Sequence, residues 1–258
     1  MDYETINLTI RDGVAVLQLA RPEVMNALNT QMRAEILHAT GEAEKQARVL
    51  VMTGKGRAFC SGQDLGDRVN AGNLNLERTL REEYEPMLMA LFDCAIPTIS
   101  AVNGPAAGAG ANLALAADVV IAAESALFLQ AFARIGLIPD AGGTYWLPRQ
   151  MGVAKAMGAA LFAEPVTARQ ASDWGMIWEA VPDDGFEAHW QGRAARLAMG
   201  PTVAYRNIKK AIRGSYENSL SQQLALEAKL QGEAGKSRDF KEGVLAFLEK
   251  RPAQFEGR

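Results

Sequence analysis

This sequence is poor in the residues on which several common chemistries depend. Two of its 258 residues are cysteine (Cys60 and Cys94) and two are histidine (His38 and His189). A pair of cysteines is too few for a disulfide framework or a zinc ribbon, and fits a reducing cytoplasm. Two scattered histidines without clustered partners argue against a His-based metal site and against a Ser/His/Asp triad, so no metal is expected. Excess charge of one sign is also missing: 27 basic residues face 30 acidic ones, giving a net charge of -3. The two signs are interspersed, so no nucleic-acid partner is expected. Long apolar runs are absent as well. The alanine-rich stretches are broken by Gly, Asn or Asp short of a bilayer's width, and the opening MDYETINLTI is acidic and alternating rather than leader-like. The expectation is a cytoplasmic protein with no membrane partner. An apolar share of 48% and a length suited to one large core point to a single α/β domain with an appendage.

What is present gathers around residues 98 to 118, TISAVNGPAAGAGANLALAAD. Thr98 to Val102 reads as a buried strand, Gly104, Gly108 and Gly110 interrupt the alanines that follow, and an apolar helix continues to about Ala116. Bare backbone at a helix N-terminus offers free N–H groups where the helix dipole favours negative charge. The turn is a candidate anion or oxyanion site; the plain alternative is that small residues merely let a helix pack closely on a sheet. A second junction repeats the pattern. The strand Val49 to Met52 leads into RAFCSGQDL at 57 to 65, so that peptide N–H groups near Gln63 and near Ala109 could converge on one oxygen.

Along the rest of the chain, Ile6 to Ile10 and Val14 to Leu19 form a predicted hairpin around Asp12-Gly13. Asn29 or Thr30 caps a helix to about Ala47. Residues 66 to 80 are polar and suit a mobile lid, and Glu82 to Phe92 resumes a helical period. Strand Val119 to Ala122 follows, and then the apolar stretch 127 to 139 ends in a lone acid, Asp140, before a glycine pair. Asp140 is a natural N-cap for a helix starting near Gly142. Burial beside Leu137, Ile138 and aromatic neighbours would instead raise its proton affinity and suit it to general-base work; both roles can coexist. Thr167 starts a short helix, Met176 to Val181 gives a last strand, and amphipathic helices separated at Gly200-Pro201, Gly214 and Gly235 complete the chain, with faces that invite oligomerisation.

Five stretches, RPEVMNAL (21 to 28), GRAFCSGQDL (56 to 65), AVNGPAAGAG (101 to 110), GLIPDAGGTYWLPRQMG (136 to 152) and FLEKRPAQF near the end, together resemble the enoyl-CoA hydratase/isomerase (crotonase) family. The resemblance implies a crotonase (ClpP-like) spiral of ββα units, with a core over 1–200 and a helical trimerisation region over 201–258. It further implies an acyl-CoA substrate whose coenzyme A is part of the substrate rather than a separate cofactor, and a homotrimer or dimer of trimers. By position, the amides of Gln63 and Ala109 would form an oxyanion hole. The chain around Ala58, Ser61, Gly62, Asp64 and Leu65, with Gly108 and Gly110, would meet the CoA and acyl portions, and Phe247 and Lys250 would reach the CoA of a neighbouring subunit. The family's hydratases carry two glutamates where this chain has Asn112 and Phe132; neither can activate water, and while both are candidates to meet substrate, Asn112 could equally do no more than cap polar backbone. Asp140 stands where some of the family's isomerases keep one proton-transferring carboxylate. More narrowly, AVNGPAAGAGANLAL, GLIPDAGGT with WLPR, and the C-terminal tail resemble the 1,2-epoxyphenylacetyl-CoA isomerases of phenylacetate catabolism. A 3,2-enoyl-CoA isomerase, a hydratase-like enzyme and a catalytically silent acyl-CoA-binding protein are the alternatives.

Overall fold

A continuous apolar strand, β3 (Val49–Gly54), organises the molecule, because every one of its residues is buried. Alternate side chains point to opposite faces of a strand. Leu50 and Met52 therefore enter one core, and Val49 and Val51 enter a second on the other side of the sheet. The computed structural model describes residues 2–64, 66 and 75–258. Its main sheet has the order β1-β2-β3-β4-β6-β9, with β1 (Ile6–Arg11), β2 (Val14–Leu19), β4 (Thr98–Val102), β6 (Val119–Ala123) and β9 (Glu179–Val181). β1 and β2 are an antiparallel hairpin in which Ile6 faces Leu19, and each later pairing in that sheet is parallel. At the hairpin tip Asp12 and Gly13 both take positive φ (53° and 76°), the left-handed pair that a two-residue turn requires. A small second sheet joins β5 (Ala106–Ala107), β7 (Leu127–Leu129) and β8 (Val166–Thr167).

Helices cover both faces, as parallel strands demand. On one face lie α1 (Thr30–Gln46), a helical stretch comprising α2 (Leu76–Thr79), a π-helical turn (Leu80–Tyr84) and α3 (Glu85–Asp93), then α4 (Ala109–Leu115), α5 (Gly143–Phe162) and α6 (Ala168–Asp173). On the other, α7 (Phe186–Ala198) places Phe186 and Trp190 against Val49, Val51, Ile99 and Ile121. Of the two caps expected for α1, Asn29 is the one used: its side chain accepts from the Met32 amide at 2.8 Å. The strand expected over 176 to 181 shrinks to Glu179–Val181, because the Met176 amide turns back to the Ala171 carbonyl. The C-terminal helices α8 (Thr202–Gly214), α9 (Leu220–Ala234) and α10 (Arg238–Glu249) break at the expected glycines. α8 is anchored by Lys209, which donates to the carbonyls of Cys94 and Ile96 and pairs with Asp118 at 2.7 Å. Among the described residues no helix is long and apolar enough to cross a membrane.

Candidate active site

Two loops leave the ends of adjacent parallel strands and zip together. The chain after β3 lies against the turn after β4 through Phe59 N–H to the Pro105 carbonyl (3.1 Å) and Ala107 N–H to the Cys60 carbonyl (2.9 Å). The first loop is tied from behind by the fully buried Asn26, whose Nδ2 donates to the carbonyls of Lys55, Ala58 and Phe59. Arg21 holds its far end, with Nη1 at 2.8 Å from Asp64 Oδ2. These contacts explain why Arg21 and Asn26 stand in the first of the five stretches.

The result fixes two peptide planes. Leu28 donates its N–H to the Gly62 carbonyl (2.8 Å) and accepts from the Asp64 amide (3.1 Å). A trans peptide points its N–H away from its carbonyl, so the Gln63 N–H is turned from Leu28 and towards the cavity. The Ala109 N–H opens α4 and has no intrahelical acceptor. Gly108, at φ 53° and ψ -128°, delivers it. The two amides are neighbours: a Cβ built on Gly62 would stand 3.4 Å from the Ala109 nitrogen. Among the described residues neither amide is taken by a backbone carbonyl.

Both amides open on a cavity of about 300 Å³. Its walls are apolar, with Leu76, Leu80, Tyr84, Phe132, Ile135 and Leu137, and Asp140 is the one carboxylate among its described lining residues. Asp140 is partly buried, with Oδ1 shut off from solvent. Its backbone is fixed: the Asp140 carbonyl accepts from Asn112 Nδ2 (2.7 Å) and from the Gly143 amide (2.8 Å). Two expectations about Asp140 are corrected. The N-cap of α5 is Gly142, not Asp140. Of its expected apolar neighbours, Leu137 and aromatic rings, those of Tyr84 and Phe132, line the cavity with Asp140, whereas Ile138 gives no cover, being 77% exposed.

The remaining candidates divide by exposure. Ser61, Gly62, Gly108 and Phe132 line the cavity, whereas Ala58 is buried with its carbonyl taken by Asn26. Gly110 is a packing residue rather than a ligand contact, because an added Cβ would meet the Cys60 carbonyl at 2.4 Å. Asn112 is likewise no substrate contact: it is fully enclosed, and its Oδ1 accepts from Gln130 Nε2 at 2.9 Å. It is a clamp on the Asp140 loop. Phe247 (83% exposed) and Lys250 sit on and just past α10, outside the cavity of this chain. Leu65 and residues 67 to 74 of the expected lid lie outside the described residues. Cys60 is no nucleophile, since burial pushes its thiol up to about 12 against a smaller opposing bond from the Gly62 amide. Among the described residues no three His, Cys, Asp or Glu side chains gather to hold a metal.

The sequence reading missed Tyr84 and Arg33. Tyr84 donates its hydroxyl to Gln63 Oε1 at 2.6 Å, and Arg33 approaches the same oxygen at 3.3 Å. Burial, with Asp140 adding to it and Arg33 opposing, raises the tyrosine above its ordinary value, so the hydroxyl stays a donor at neutral pH. Neither residue follows a glycine-rich turn, the signal that exposed the Gln63 and Ala109 amides. For the clamp, we expect Asn112→Ala to lose about 1–3 kcal/mol of stability, since it strands the Gln130 amide and leaves the Asp140 carbonyl with the Gly143 amide alone. Denaturant unfolding measures the loss, and an unchanged midpoint would remove the clamp from the account.

Comparison with known proteins agrees over nearly the whole chain. A family described as enoyl-CoA hydratase/isomerase matches residues 9–258. A protein of Rhodobacter capsulatus named as a probable enoyl-CoA hydratase is 63% identical over 258 residues, the full length of both chains. The 1,2-epoxyphenylacetyl-CoA isomerase of Escherichia coli is 45% identical over 254 residues, covering 96% of this chain and 97% of its own. Among solved structures, an enoyl-CoA hydratase from Bacillus anthracis superposes with a TM-score of 0.92 at 29% identity, covering 99% of this chain and 100% of that one.

Proposed function

The chain belongs to the enoyl-CoA hydratase/isomerase family and has its crotonase fold, and we propose that within this family it is an isomerase that moves a proton on an acyl-CoA thioester. The observation that carries this reading is the single described carboxylate, Asp140, in the cavity that also holds the Gln63 and Ala109 amides. Hydration of a double bond calls for groups that hold and activate water, and the positions at issue carry an enclosed amide, Asn112, and a hydrocarbon ring, Phe132. One carboxylate suffices for a shuttle. Asp140 takes the proton from the carbon next to the thioester, the electron pair moves onto the thioester oxygen, and that oxygen is held by the two amides until the proton returns elsewhere. A preorganised donor of this kind is typically worth about 10²–10³ in rate.

The favoured substrate is the ring epoxide of a phenylacetyl thioester, 2-(1,2-epoxy-1,2-dihydrophenyl)acetyl-CoA, converted to the oxepin form. Flat walls at Tyr84 and Phe132 suit a ring, and the 45% identity to the isomerase of Escherichia coli supports the same choice. A 3,2-enoyl-CoA isomerase uses the same proton path and is the second reading. Coenzyme A enters as part of the substrate, with no separate cofactor. We also propose a cytoplasmic homotrimer or dimer of trimers, in which residues 201–258 assemble the subunits and the exposed Ile208, Ile212, Leu220 and Leu224 become covered; Phe247 and Lys250 then serve a neighbour's CoA. The test offers the enzyme the ring-epoxide thioester, a 3-enoyl-CoA and a 2-enoyl-CoA in turn. The expected result is isomerisation of one of the first two at least about a hundredfold faster than hydration of the third. Comparable or faster hydration would overturn the isomerase reading in favour of a hydratase.

A further inference from the structure

Gln63 occupies a position where its backbone serves the cavity and its side chain serves something else. Its Oε1 accepts from the Tyr84 hydroxyl at 2.6 Å, and its Nε2 donates to the carbonyls of Asp64 (3.2 Å) and Leu28 (3.4 Å). The Leu28 carbonyl is the one that fixes the neighbouring peptide plane, and it also accepts from Arg33 Nη1 at 2.7 Å. Arg33 is 1% exposed, is ion-paired with Glu83 through Nη2 and through Nε (2.9 Å), and lays its guanidinium 4.8 Å from the centre of the Tyr84 ring. Tyr84, 3% exposed, closes a π-helical turn whose Leu80 and Tyr84 both line the cavity. Such turns insert an extra residue per bond and occur often at functional sites.

We propose that Tyr84 is a positioning residue for the oxyanion: its hydroxyl, seated by the buried Arg33–Glu83 pair, locks the Gln63 side chain so that the Gln63 amide stays aimed into the cavity. Turning that amide away would drag the side chain off four partners at once, which makes the donor rigid before substrate arrives. Rigid donors stabilise developing charge because nothing reorganises when the charge appears. The same tyrosine forms part of the acyl wall, so the group that packs on the substrate is one hydrogen bond from the group that polarises it. The inference rests on the oxyanion part of the isomerase reading and deepens it.

Tyr84→Phe is the clean variant, since it keeps the ring, its packing and its contact with Arg33 and removes only the O–H. Turnover is measured alongside a readout that needs no turnover: the infrared stretch of a ¹³C-labelled thioester carbonyl in bound phenylacetyl-CoA, which falls in frequency as its hydrogen bonds strengthen. We expect Tyr84→Phe to lower kcat about tenfold with KM within about twofold, as loss of one charge-stabilising alignment would, and to lose part of the carbonyl shift seen in the wild type. Gln63→Met, which removes Oε1 together with the Nε2 donor and keeps the backbone amide, is expected to lower kcat at least as much, and the double variant is expected to be no slower than Gln63→Met. A Tyr84→Phe protein with the full wild-type shift and unchanged kcat, or single effects that simply add, overturns the positioning role alone. A wild type whose bound carbonyl shows no shift overturns the oxyanion reading itself.

Discussion

Exchanging Asp140 for Asn lowers the isomerisation rate by about 10²–10⁴-fold, the usual worth of a positioned general base. The exchange is nearly isosteric, so the cavity keeps its shape. The Asp140 backbone stays where it is, because Asn112 and the Gly143 amide hold its carbonyl and not its side chain. Both oxyanion amides also stay, and so does binding of the thioester. What disappears is the ability to take a proton from the carbon beside the thioester. A second observable isolates that step: a saturated thioester such as phenylacetyl-CoA, incubated in D₂O, exchanges its α-hydrogens on the wild type and not on Asp140→Asn, as followed by proton NMR. A variant that isomerises within about fivefold of the wild type, or still exchanges the α-hydrogens, would take the base role from Asp140 and leave only the kinship of fold.

The parts of this site that could be read in the sequence are those written in local backbone chemistry. Asp12-Gly13 announces a hairpin turn because few other pairs take two positive φ values. The unbroken run in β3 announces a strand buried on both faces. The glycines at 62 and 108 announce bare amides because both take positive φ (94° and 53°), and at Gly62 a side chain would also crowd the Ala109 amide. Asp140 stood out as the acid in an apolar stretch. What could not be read is long-range. Arg33 sits on an amphipathic helix, where an arginine ordinarily faces water, and its burial depends on Glu83, fifty positions away. Tyr84 falls in a helical period that carries no mark of the π-turn, the turn that places both Leu80 and Tyr84 on the cavity wall. Asn112 was open in the sequence between orienting substrate and capping polar backbone; its complete burial and its bond to the Asp140 carbonyl decide for the backbone. Gly110 looked like part of a bare turn and proves to be close packing against Cys60.

Gly62→Ala is expected to cost most of the activity. Gly62 sits at φ 94°, where an L side chain is strained by about 1–3 kcal/mol. The added Cβ would lie 2.7 Å from the Ala107 carbonyl oxygen, a backbone atom on a turn that β5 holds in the second sheet, and 3.4 Å from the Ala109 nitrogen. Relief of that contact has to come from one of the two peptide planes that aim the oxyanion donors. With the donors splayed, the loss of a single donor alone predicts a fall of about 10²–10³ in kcat, with a smaller effect on KM. Strain by itself makes a different prediction, and Gly136→Ala supplies the comparison. Gly136 takes a similar positive φ of 73°, yet nothing lies within 4 Å of a Cβ placed there. That variant pays the backbone strain with no atom pushed towards the amides, so it is expected to lower the unfolding midpoint, though by less than Gly62→Ala, while keeping kcat within about twofold. Steady-state kinetics and denaturant unfolding on the two proteins separate the causes. Equal losses of kcat would assign the effect to strained backbone and withdraw the crowded amide pair as its explanation.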